Sequence, residues 1–133
     1  MEIKKIDHIG IAVKCIEDAS KFYSNILNLK ISEPIEVKAQ EVKVAFMEIG
    51  GIKLELLEPL GEDSPVARFL QKKGQGLHHL CFLVDDIEFA LRRLKENNVR
   101  LVDQFPRIGA TRKRIAFLHP ESSSGVLIEL KEA

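Results

Sequence analysis

DHIGIAVKCIEDA, residues 7–19, and HHLCFLVDDIEFA, residues 78–90, are one pattern written twice. A shift of 71 positions lays His8 on His79, Val13 on Val84, Ile16 on Ile87, Glu17 on Glu88 and Ala19 on Ala90. The same shift lays VAFM, from Val44, on IAFL, from Ile115. Three extra residues then enter the second copy around HPESSS. Beyond them GIKLEL, from Gly51, lies on GVLIEL, from Gly125, so Glu55 meets Glu129. Blocks that stay in register across one short insertion mark a duplication, and a repeat constrains the fold more than any local propensity.

Each copy reads in the same order. Residues 6–13 are a short β-branched strand, and the chain turns helical after Ile16, with Ala19, Phe22, Tyr23, Ile26 and Leu27 on one face. Residues 87–97 repeat that helix through Ile87, Leu91 and Leu94. Three strands follow in each half: residues 30–35, 42–49 and 52–58, then 101–105, 114–118 and 126–131. Gly50-Gly51 supplies a two-residue hairpin turn. Between the halves, Ser64 caps and Pro65 opens a linking helix over residues 66–73, with Gly74 and Gly76 at its exit. The expectation is an α+β fold of two tandem βαβββ modules, about 4–59 and 76–132, joined by a helix at about 64–73 into one domain spanning 1–133.

Strand parity then selects the chemistry. Side chains alternate between faces, so Ile9, Ile11 and Val13 share one side while His8, Gly10 and Ala12 share the other. Leu80, Phe82 and Val84 oppose His79; Leu54 and Leu56 oppose Glu55; Ile128 and Leu130 oppose Glu129. Each half thus offers one imidazole and one carboxylate from strand interiors, on the face away from its helix. A buried carboxylate is costly unless it is paired or metal-bound. A single mid-strand His or Glu is more often an edge residue or a satisfied core group. Here that explanation would have to hold at both members of each matched pair, so the reading is one divalent metal held by His8, Glu55, His79 and Glu129. Two nitrogen and two oxygen donors without thiolate suit Co²⁺, Mn²⁺, Ni²⁺, Fe²⁺ or Zn²⁺ alike. Shared coordination also requires His8 and His79 ring nitrogens within roughly 5 Å, since each metal bond is ~2 Å. His78 matches Asp7 and falls on the helix side. Cys81 shares the parity of His79 as a small apolar residue, and His119 lies in the insertion without a counterpart.

Composition narrows the classes. The chain has 133 residues, 45% hydrophobic and 30% charged, the profile of a globular protein. Twenty basic residues cancel twenty acidic ones, which removes the overall field that draws a protein to nucleic acid or an anionic membrane. Two cysteines are too few for a disulfide framework, and the N-terminal apolar run is broken by Asp7 and His8. The expectation is a cytoplasmic protein that binds neither nucleic acid nor membrane.

With the ligands in hand, the chain resembles the methylmalonyl-CoA epimerases of the vicinal oxygen chelate superfamily, whose fold is the glyoxalase one. The resemblance runs through DHIGIAV at 7–13, KLELLEP at 53–59, DSPVARFL at 63–70, GLHHLCFLVDDIE at 76–88, IAFLHP at 115–120 and GVLIEL at 125–130. It implies a curved mixed sheet around the metal, with the family's ligands falling on His8, Glu55, His79 and Glu129. It implies an isomerase that interconverts (2R)- and (2S)-methylmalonyl-CoA by moving the C2 proton, with Glu129 as base, an acyl-CoA substrate and a homodimer. The alternatives are a glyoxalase I-type lactoylglutathione lyase, whose usual DPDG-like turn is replaced here by HPESSSG, and a non-catalytic binding module on the same fold. Extradiol dioxygenases use two histidines and one carboxylate, one ligand fewer than this set. Two segments depart from the family: a usual Gly is replaced by Glu41, and a usual His-Gly by Thr111-Arg112. Arg107, Arg112, Lys113, Arg114, Lys72 and Lys73 are the cations available to the CoA phosphates.

Overall fold

The computed structural model describes residues 1–133. The elements are β1 (Ile3–Ala12), α1 (Ile16–Ser20) continued by a π-helical stretch (Lys21–Ile26), β2 (Ile35–Val37), β3 (Val42–Ile49), β4 (Ile52–Pro59), α2 (Pro65–Lys73), β5 (Gly76–Val84), α3 (Ile87–Glu96), β6 (Arg107–Ile108), β7 (Arg114–Leu118) and β8 (Ile128–Glu132). Short 3-10 turns occupy Lys38–Gln40 and Pro120–Ser122.

Contacts divide the chain into two compact units, Ile9–His78 and Met1–His8 with His79–Ala133. The division differs from the expected modules because it falls inside β1, between His8 and Ile9. The end of β1 therefore belongs with the first module and its beginning with the second.

In the unit Ile9–His78, strands run in the order β2-β3-β4-β1. The hairpin β3·β4 is antiparallel from Val42↔Pro59 to Ile49↔Ile52. Gly50 and Gly51 take φ of 56° and 83°, the left-handed pair that a type I′ turn demands. Parity holds: Val13, Ile16, Ala45, Met47 and Leu56 form one core cluster with Ala19 and Tyr23 of the helix. On the other face Ala12, Val42, Val44 and Leu57 pack with Val66 and Phe69 of α2. Ser64 accepts a 3.0 Å hydrogen bond from the Ala67 amide, Pro65 fills the first turn, and Gly74 at φ 76° ends the helix.

Two expectations fail here for local reasons. The first helix does not stay α. Its Leu27 amide reaches back five residues to the Phe22 carbonyl, and the wider turn leaves Phe22, Ile26 and Leu27 exposed. The strand expected at 30–35 is reduced to one bridge, Ile31↔Met47, with β2 beginning only at Ile35; Pro34, which lacks an amide hydrogen, interrupts the ladder.

In the other unit the order is β1-β5-β8-β7-β6. β5 and β8 are parallel, whereas β7·β8 and β6·β7 are antiparallel, so the pairing is mixed as expected. Val84, Ile87, Ala90, Leu91, Ala116, Leu118, Ile128 and Leu130 form the core under α3, with Leu80 and Phe82 against it. Asp86 caps α3 by accepting from the Phe89 amide at 3.0 Å, and Arg93 and Lys95 occupy the last turn, where positive charge suits the helix dipole. The strand expected at 101–105 is again one bridge, Leu101↔Leu118, and pairing resumes only at Arg107, past Pro106. No helix in the chain is long and apolar enough to cross a membrane.

Candidate metal centre

Three of the four ligands named from sequence converge within one unit. His8 Nε2 lies 3.0 Å from His79 Nε2 and 3.0 Å from Glu129 Oε1, and His79 Nε2 lies 3.1 Å from the same oxygen. All three residues are buried, each 5–7% exposed. The strands explain the convergence. Cys81 and Glu129 are register partners on parallel β5 and β8, so His79 and Glu129 present the face opposite the core residues Leu80, Ile128 and Leu130. His8 enters from the end of its half of β1. The two histidine nitrogens are well inside the ~5 Å limit that two metal bonds allow.

The fourth residue, Glu55, belongs to the unit Ile9–His78 and is buried in mid-strand on β4, 7% exposed. Its register partner is Phe46, just as Phe117 is the register partner of Glu129. The duplication thus extends to the aromatic neighbour of each carboxylate.

The donor set fits a divalent cation. Asp7 Oδ2 lies 2.8 Å from His8 Nδ1, and a carboxylate can only accept, so Nδ1 carries the proton. Nε2 of a neutral His8 then turns its lone pair toward His79 Nε2 and Glu129 Oε1, each at 3.0 Å. Either a second ring proton or a cation must lie between them, and a cation serves all three donors together. Bonds of ~2.1 Å meeting at right angles hold donors about 3 Å apart, the spacing found here. Glu129 is ready for that role: burial raises its pKa, but interaction with the His79 and His8 rings outweighs burial and brings it down to about 2.

Other residues sort themselves around this centre. His78 packs edge-on against Phe69, 4.9 Å between ring centroids, away from the three donors as its parity requires. Cys81 is fully buried, and burial pushes its thiol up to about 11, so it is a neutral packing group in this setting. His119 caps the 3-10 turn Pro120–Ser122, its Nδ1 accepting from the Glu121 amide. Arg114 is engaged with Glu132 and Glu88 and Arg107 with Asp103, which leaves Arg112 and Lys113 as the exposed cations of the β6–β7 turn. The two departures from the family pattern both fall at left-handed backbone positions. Glu41 and Arg112 stand where glycine is usual, and both adopt left-handed φ, 54° and 65°.

Sequence reasoning assigned no role to Asp7, Lys131 or Phe117. Phe117 meets His79 edge-on at 5.6 Å, with the Arg107 guanidinium 5.5 Å from its own ring centre. The register with Glu129 was the available signal for Phe117, and adjacency to His8 was the signal for Asp7.

Known proteins share this sequence pattern and fold. Residues 7–117 match the family model described as the Glyoxalase/Bleomycin resistance protein/Dioxygenase superfamily. The Bacillus subtilis uncharacterized protein YqjC is 51% identical over 130 residues, covering 98% of this chain and 93% of that protein. Human mitochondrial methylmalonyl-CoA epimerase is 45% identical over 130 residues, covering 97% of this chain and 74% of that protein. A Streptomyces coelicolor methylmalonyl-CoA epimerase, solved with 2-nitronate-propionyl-CoA, superposes with a TM-score of 0.92 at 34% identity, covering 99% of this chain and 96% of that one. A family match over most of the chain, with the duplicated fold and the His-His-Glu cluster, has one meaning: the chain belongs to the glyoxalase/bleomycin resistance protein/dioxygenase superfamily, which implies a divalent metal.

Proposed function

We propose that this chain is a metal-dependent methylmalonyl-CoA epimerase that interconverts the (2R) and (2S) thioesters by 1,1-proton transfer. The observation that carries the reading is the meeting of His8 Nε2, His79 Nε2 and Glu129 Oε1 within 3.1 Å of one another. The human and Streptomyces relatives, each a methylmalonyl-CoA epimerase by name, supply the substrate class. The three converging residues and Glu55, the duplicate of Glu129, would hold the cation, with Co²⁺ among the expected metals. When bound, that cation supplies Lewis acidity that lowers the cost of negative charge on the thioester oxygen.

The remaining steps belong to the chain's own residues. The C2 proton lies between a thioester and a carboxylate and is weakly acidic, so its removal needs a base placed within hydrogen-bond reach. Glu129 is ionised throughout the physiological range, since its folded pKa is about 2. Glu129 would take the C2 proton from one face, and inversion requires a proton delivered to the opposite face by a second acid, so Glu129 accounts for one half of the exchange. Burial of the three side chains excludes water from the point where charge develops. Arg112 and Lys113 are placed on an exposed turn suited to the phosphates of CoA. The reading includes a homodimer, which the superfamily resemblance implies, and a reducing compartment such as the cytoplasm, which the two free cysteines suit.

The test is deuterium wash-in at C2 of methylmalonyl-CoA in D₂O, with and without metal. Metal-dependent wash-in with loss of configuration supports the epimerase. Efficient conversion of a methylglyoxal–glutathione hemithioacetal with no wash-in to methylmalonyl-CoA replaces it with the glyoxalase reading.

A further inference from the structure

We infer that Asp7, anchored by Lys131, is a positioning residue that fixes the tautomer and direction of the His8 imidazole, so that Nε2 is its metal donor; this rests on the metal-site reading above. Asp7 Oδ2 lies 2.8 Å from His8 Nδ1 and 3.2 Å from Lys131 Nζ. One carboxylate oxygen therefore serves both partners, and rotation of Asp7 cannot break one contact while sparing the other. The pair is well covered, with side chains 14% and 12% exposed, unlike the solvent-exposed ion pairs that contribute little.

Topology makes the arrangement specific. Glu129 and Lys131 are two residues apart on β8 and share a face. Glu129 Oε1 meets His8 at Nε2, while Lys131 holds the group that meets His8 at Nδ1. A single strand thus sets both ends of one imidazole ring. With a cation at Nε2, the ring could not flip without placing a C–H against Asp7, and it could not move its proton to Nε2 without giving up the donor and turning a lone pair on Asp7. A carboxylate behind a ligating histidine also raises the basicity of the donor nitrogen. The duplication does not repeat this device: the position matching Asp7 is His78, which packs on Phe69. Asp7 is not itself drawn off as a cation ligand with His8 and Cys81, although their donor atoms lie within 4.8 Å of one another, because the Lys131 ammonium already occupies its carboxylate.

The experiment measures Co²⁺ dissociation constants on metal-free protein by competition with a chromophoric chelator at pH 7. Wild type, Asp7→Ala, Asp7→Asn, Lys131→Met and His8→Ala are compared. Loss of the outer carboxylate typically weakens metal binding ~10–100-fold, which is the expectation for Asp7→Ala. Asp7→Asn keeps an acceptor for Nδ1–H but loses the charge, so it should fall between Asp7→Ala and wild type, a graded order that simple loss of packing does not produce. Lys131→Met leaves Asp7 in place and should weaken binding several-fold. A second readout is the exchangeable imidazole N–H resonance of the Co²⁺-loaded protein, assigned to His8 through His8→Ala, which should be protected in wild type and broadened by solvent exchange in Asp7→Ala. Thermal unfolding of the metal-free variants confirms that folded forms are compared. The inference is overturned if folded Asp7→Ala and Asp7→Asn bind Co²⁺ within twofold of wild type while His8→Ala does not bind. If wild type takes up no divalent cation at all, the metal reading falls and this inference falls with it.

Discussion

Glu129→Gln separates the two roles that Glu129 is given. Glutamine has the same shape, so the side chain still fills the space opposite Leu130 and still reaches His8 and His79, now 3.0 and 3.1 Å from Oε1. What disappears is one negative charge and all basicity near neutral pH. The carboxylate is held at about 2 because interaction with the His79 and His8 rings overcomes its burial, and an amide fills the same place without that charge. Metal affinity should fall, and enough metal should restore occupancy, because the two imidazoles remain. Turnover should not return. A positioned general base contributes ~10²–10⁴ in rate, roughly 3–5 kcal/mol of barrier at 1.36 kcal/mol per decade. The assay is deuterium wash-in to methylmalonyl-CoA, measured while metal is raised to saturation, with occupancy read on the same samples. Full occupancy with a rate within threefold of wild type would refute the assignment of Glu129 as base and leave it only a ligand.

Other consequences are equally direct. His8→Ala and His79→Ala should each lose the cation on dialysis against chelator, whereas His78→Ala should keep it because His78 packs on Phe69; metal analysis decides, and equal retention in all three defeats the parity argument. Asp7 is held down to about 2 first by its hydrogen bond to His8, against burial and with help from Lys131, so its folded pKa lies below its ordinary 3.8. That stabilisation, about 2 kcal/mol, is present above roughly pH 4 and is lost as pH falls toward 2; urea midpoints of metal-free wild type and Asp7→Asn should therefore converge on acidification, and parallel curves would contradict it. Glu41→Gly and Arg112→Gly place glycine at left-handed positions, so stability by urea denaturation should hold or rise by up to ~1 kcal/mol; a larger loss means that these side chains make contacts beyond their backbone role.

Much of the site was legible because two periodicities act together. The period of two within a strand put His79 and Glu129 on the face opposite Leu80, Ile128 and Leu130, and that separation is what the core of α3 shows. The duplication told which polar residues to pair across the halves, so a search among twenty acidic residues and four histidines ended on two of each. Both hairpin strands β3 and β4 and the Ser64 cap followed from local chemistry, Gly50-Gly51 and Ser64-Pro65, and local chemistry does not depend on what lies far along the chain.

What the chain alone determined was therefore its repeat, the faces of its strands and the residues able to bind a cation. Tertiary structure decided the rest. Residues 30–35 and 101–105 have strand composition, yet the first keeps one bridge before β2 begins at Ile35 and the second keeps one alone, since an outer strand has one neighbour to bond and a proline nearby ends the ladder. The helix after Ile16 reads as a regular amphipathic turn, but packing Tyr23 into its core cluster takes a π turn that turns Phe22 and Leu27 out. The carboxylate behind His8 was the hardest to foresee. Asp7 sits next to its partner in sequence, where alternation sends neighbours to opposite faces, and Lys131 lies 124 residues away. Only the pairing of strands brings that ammonium to the one oxygen that also receives the His8 proton, because hydrogen bonds of about 3 Å are set by position in space and not by spacing along the chain.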